Sequence, residues 1–83
     1  MTEPRSDHEI VERVDALVAE EHEIENRSPG GLSGEAADRV RAIRVERDQL
    51  FDLKRARQAK RDAGQDPDEA QERPADVVEN YLE

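Results

Sequence analysis

The 83-residue sequence predicts an all-α protein, an antiparallel two-helix hairpin of coiled-coil character followed by short C-terminal helical segments. Three observations carry this. Apolar residues recur at three- and four-residue spacing in two long stretches, start and stop signals bracket each stretch, and a Pro-Gly turn separates them. The expected organisation is a flexible N-terminus over 1–6, a helical hairpin over 7–62 with its turn at 28–33, and an acidic C-terminal tail over 63–83.

The first helix opens at Ser6. Glu9 stands three residues on, the spacing at which each side chain satisfies a free backbone N–H of the first turn. Ile10, Val11, Val14, Leu17, Val18 and Ile24 then fall on one face. "SPGG" at 28–31 stops the helix, because Pro29 disfavours helical geometry before it and the glycines permit a turn. Ser33 is the expected cap of the second helix, with Glu35 in its electropositive first turn. That helix runs to about Asp62, where Lys60 and Arg61 suit the negative end and Gly64 suits a left-handed stop. Its main apolar face is Ala36, Val40, Ile43, Leu50 and Phe51, while Ala42, Val45, Leu53 and Ala56 project to nearly the opposite side. In the tail, Asp66-Pro67 with Glu69 predicts a short helix near 67–72, and Pro74 another over 74–82 carrying Val77, Val78, Tyr81 and Leu82.

Two apolar faces on one helix need two neighbours, and a hairpin supplies one. Val45, Leu53 and Ala56, with Val77, Val78, Tyr81 and Leu82, therefore form the candidate interface of a homodimer, expected as a four-helix bundle. A chain this short buries only about 60% of its unfolded surface, and its aromatic residues are Phe51 and Tyr81 alone. Small chains of this kind are commonly completed by disulfides, metals or oligomerisation. With no cysteine, disulfides and zinc-finger ligand sets drop out.

Charge is segregated. The net charge is −9, with −6 over 7–27, +3 over 35–62 and −6 over 63–83. "LKRARQAKR" at 53–61 gives a candidate basic patch of Lys54, Arg55, Arg57, Lys60 and Arg61. Nucleic-acid contact through it is disfavoured by the acidic total, by the single aromatic Phe51 nearby and by an acidic tail able to neutralise it. Glu21 and Arg47 lie within the apolar stripes of the two helices and form a candidate register pair. Because Glu21 falls nearer residue 41 than 47 in an antiparallel hairpin, their contact requires the long reach of Arg47, Arg44 as an intermediary, or a second chain.

"HEIVER" at 8–13 returns as "HEIENR" at 22–27. Two heptads separate the copies, which puts His8 and His22 about 21 Å apart along one helix, too far to share a metal. Glu12 and Asn26 stand where a zinc-protease helix needs its second histidine, and Arg5 and Ala19 where a di-iron bundle needs glutamate. The repeat reads as a solvated helix face, with Glu9 before Arg13 and Glu23 before Arg27 at the favourable four-residue spacing. No metal, cofactor or catalytic residue is indicated: there is no cysteine, no Gly-rich phosphate loop after a strand, and no Ser-His-Asp set that a rod of two helices could assemble. The polar start "MTEPRSDHE" predicts no signal peptide, and no window has the roughly 18 apolar residues of a membrane span. The expected setting is the cytoplasm.

Arg61 to Gly64, Asp66-Pro67-Asp68-Glu69-Ala70, Arg73-Pro74, Val78-Glu79 and Tyr81-Leu82, together with "VDALVAEEHEIENR", make nearly the whole chain resemble a family of small uncharacterised actinobacterial proteins, domain of unknown function 2630. The resemblance implies an actinobacterial source and brings no activity or catalytic residue with it. The expected function is a non-enzymatic protein-protein interaction scaffold or adaptor. The alternative is a nucleic-acid- or ribosome-associated factor using the basic stretch of helix two.

Overall fold

A computed structural model describes residues 6–71, in which α1 (Asp7–Asn26) and α2 (Gly34–Asp62) pack against each other and a single 3₁₀ turn (Pro67–Glu69) follows. No strand occurs among the described residues, and no helix there is long and apolar enough to cross a membrane. The segment 74–82, with Val77, Val78, Tyr81 and Leu82, lies outside the described residues.

The start of α1 is the expected capping box. Glu9 N–H donates to Ser6 Oγ at 3.1 Å, and Ser6 N–H donates back to Glu9 Oε1 at 3.0 Å. The helix ends at Asn26, and Arg27 N–H closes on Glu23 O at 3.2 Å. Ser33 departs from expectation. It stands at the cap position of α2, yet its side chain caps nothing. Gly34, at φ 56°, turns the chain into the helix instead.

The end of α2 is set by Gly64, at φ 75°. Gly64 N–H donates to Arg61 O at 3.0 Å and Gln65 N–H to Lys60 O at 2.7 Å, the paired bonds of a left-handed helix stop. A Cβ at Gly64 meets no atom within 4 Å, so substitution there costs backbone strain alone. Gly64→Ala is expected to lower stability by about 1–2 kcal/mol. Gly30→Ala, also in open space and without a positive φ, is expected to change it by under about 0.5 kcal/mol. Urea unfolding followed by helical circular dichroism checks both, and equal midpoints would contradict the backbone account.

Leu53 reverses its expected place. It is fully buried in one continuous core with Ile10, Leu17, Ile43, Leu50 and Ala70, and Ala56 packs on that core from the edge. The Pro67–Glu69 turn is the reason, because it sets Ala70 into the core beside α2. Leu53 and Ala56 are thus occupied within one chain and are not the open surface that the sequence suggests; Val45 is half-buried. Phe51 moves the other way, out of the seam, and is 41% exposed. The expected helix over 67–72 shrinks to one turn: Asp66 Oδ1 accepts from Asp68 N–H at 2.9 Å, and Ala70 is already extended at ψ 142°.

Candidate functional site

Seven-residue spacing organises both helices. Ile10, Leu17 and Ile24 follow it on α1, as do Ile43, Leu50 and Arg57 on α2. Asp7, Val14 and Glu21 form the companion row on α1, and Val40, Arg47, Lys54 and Arg61 form it on α2. Acids therefore interrupt the seam of α1 and bases that of α2, and the hairpin brings most of them together.

Glu21 is buried, and both of its carboxylate oxygens are engaged by α2. Arg44 Nε donates to one at 3.0 Å and an Arg47 terminal nitrogen to the other at 3.2 Å. The candidate pair Glu21–Arg47 thus forms within one chain, and Arg44 joins it. On the opposite flank two fork-to-fork pairs cross the hairpin, Arg13 to Glu46 at 2.7 and 3.0 Å and Arg39 to Glu20 at 2.7 and 2.8 Å. The hydrogen bonds from Arg39 hold the Glu20 carboxyl below the usual carboxylate range, and those from Glu46 raise Arg13 above its ordinary value.

The basic stretch is divided by the fold. Arg57, expected on the surface, has a side chain only 6% exposed. Its Nε donates to Asp7 at 2.7 Å, and a terminal nitrogen donates to Asp68 at 2.9 Å and to the Pro67 carbonyl at 3.3 Å. Burial works against the guanidinium charge, yet the hydrogen bonds to Asp7 and Asp68 outweigh it and hold Arg57 above its ordinary value. Arg61 also binds Asp7, and Lys60 lies 3.8 Å from Glu69. The Arg57 hydrogen bond, with the charges of Arg61 and Arg57, lowers the Asp7 carboxyl against the opposing effect of burial. Lys54 and Arg55 remain exposed. Sequence reasoning missed Arg57 as a core residue, although its place seven residues after Leu50 was the available signal.

A groove runs along the flank of the hairpin that carries Phe51. Ile10, Val11, Val14 and Asp15 of α1 line one wall, with Phe51 and Lys54 of α2 opposite. It continues towards the open end of the hairpin between Asp7 and Arg55, Gln58 and Arg61. Among the described residues, Val11 and Phe51 are the large apolar side chains left open, at 42% and 41% exposure. The doubled His-Glu motif gives this groove Ile10 and Val11 of its first copy but neither histidine: His8 pairs on the surface with Glu12 at 3.3 Å, and His22 is exposed. Among the described residues no group of three His, Asp or Glu could hold a metal ion.

Similarity to known proteins reaches across the same elements. Uncharacterized proteins of Mycobacterium bovis and of two Mycobacterium tuberculosis strains, CDC 1551 and H37Rv, are each 44% identical over 78 residues, covering 92% of this chain and 90% of theirs. No solved structure matches. The model of the protein family of unknown function DUF2630 matches residues 6–83, from the Ser6 cap onward, and the chain belongs to that family.

Proposed function

We propose that this chain is a non-enzymatic helical interaction protein, a small scaffold or adaptor that acts in the cytoplasm by docking against another protein chain. The observation that supports it is the open Val11–Phe51 groove on a hairpin whose buried charges Glu21 and Arg57 are engaged in structural pairs. Apolar side chains left together at a surface, rimmed by polar groups, are the usual mark of a protein contact. Self-association into a homodimer is the simplest form of that contact. The nucleic-acid reading loses support, because Arg57, Lys60 and Arg61 lie against carboxylates of the same chain and the net charge is −9.

Affinity capture with the full chain tests the reading. Bound protein should be lost with Phe51→Asp and retained by the wild type when salt is raised. RNA binding that falls steeply with salt and disappears in the Lys54→Glu/Arg55→Glu variant would replace it with the nucleic-acid reading.

A further inference from the structure

The groove carries opposite charges on its two walls. Asp15 stands on the α1 side beside Val11 and Val14, and Lys54 and Arg55 stand on the α2 side beside Phe51. All three charged residues are exposed. A surface with an acidic wall, an apolar floor and a basic wall is complementary to itself when turned by a half-rotation, which places acid against base twice. We propose that this groove is the contact face of a homodimer, in which Phe51 packs against the partner's Val11 and Lys54 meets the partner's Asp15. The inference rests on the interaction reading above and gives it one occupant, a second copy of this chain.

Two further observations favour that occupant. The described part of the chain that follows α2, up to residue 71, is held away from the groove. Lys60 and Phe51 are nine residues apart, which at about 100° per residue turns them about 180° from each other on α2. The Pro67–Glu69 turn is anchored on the Lys60 side, through Arg57 to Asp68 and Lys60 to Glu69. The extent of the face also fits. Two helices side by side, about 30 Å long for α1 and about 20 Å across together, offer about 600 Å² per copy. The resulting total of about 1,200 Å² is at the lower end of specific interfaces, so the dimer should be weak, in the micromolar range.

Sedimentation equilibrium of the full chain, from about 1 to 100 μM, reads the result. The wild type should shift towards twice the 9.5 kDa chain mass across that range. Phe51→Asp should stay monomeric with unchanged helical circular dichroism. Lys54→Asp and Asp15→Lys should each weaken the dimer about tenfold by setting like charges together, and the two combined should restore it. A wild type that is monomeric at 100 μM, a dimer indifferent to Phe51→Asp, or a combined variant as weak as either single one would each overturn the proposal. If the wild type is monomeric but Phe51→Asp still abolishes capture of another protein, the dimer falls and the interaction reading stands. If Phe51→Asp changes neither property, both fall.

Discussion

Leu50→Ala should lower the unfolding free energy by about 3 kcal/mol, enough to leave much of the protein unfolded at room temperature if the whole fold is worth about 5 kcal/mol. Leu50 is fully buried in a core that, among the described residues, also holds Ile10, Leu17, Ile43, Leu53 and Ala70. Truncating it removes transfer energy and leaves a cavity, and two helices have few neighbours able to collapse into that space. Phe51→Ala, one residue on, should cost under about 1 kcal/mol in the monomer despite the larger side chain removed, because Phe51 already faces solvent. Urea unfolding of both variants at low concentration gives the comparison. Equal losses would mean that Phe51 contributes to the seam as much as Leu50 does, against this assignment.

The second large effect belongs to Arg57, and its sign depends on which partner is removed. Replacing both Asp7 and Asp68 by Ala leaves a buried guanidinium without a carboxylate and should cost about 3–5 kcal/mol. Arg57→Met removes the charge and keeps an apolar stem in the core position, and should cost under about 1 kcal/mol or even stabilise. Acid should act through the same centre. The Asp7 carboxyl is held below its ordinary value in the fold, first by the Arg57 hydrogen bond, so its contribution is present above the unfolded-state pKa of about 3.9. As pH falls through the lower folded value that contribution disappears. Stability should therefore drop below about pH 4, and Asp7→Asn should flatten part of the fall. Asp7 is itself 40% exposed, so solvent screening makes its share modest beside the loss of both carboxylates. Thermal unfolding between about pH 2 and 7 checks both signs, and an Arg57→Met variant as damaged as the double carboxylate variant would refute the account.

The parts of this architecture legible in the sequence are those set over a few neighbouring residues. The Ser6–Glu9 box, the stop at Gly64 and the break at 28–33 each depend on local backbone chemistry, and each stands where expected. Glu21 with Arg47 was legible as well, because charges inside an apolar stripe need partners. Leu53 and Phe51 exchanged roles for a reason that lies elsewhere in the chain. Which side of α2 is covered depends on where the Pro67–Glu69 turn returns, and that turn is too short to show a periodicity of its own. The groove depended on the same exchange, since it opens only because Phe51 is outside the seam. Arg57 was hidden by its company: among five bases in nine residues it reads as surface, and its partner Asp7 is fifty positions away.

The bonds across the hairpin also impose an order on how the molecule closes. Glu20–Arg39 spans 19 residues, Glu21–Arg44 spans 23, Glu21–Arg47 spans 26, Arg13–Glu46 spans 33 and Asp7–Arg57 spans 50. Each rung beyond the first encloses a loop already shortened by the one before it. Even unaided, a doubling of loop length costs only about 0.6 kcal/mol. The chain can therefore zip outward from the turn, rung by rung, with no single long search across the sequence, as in other rapidly folding helical proteins of local topology. Traversed in reverse, the same ladder begins to open at Asp7, whose bonds to Arg57 and Arg61 span the longest loops, so that junction is the gate through which the hairpin unzips.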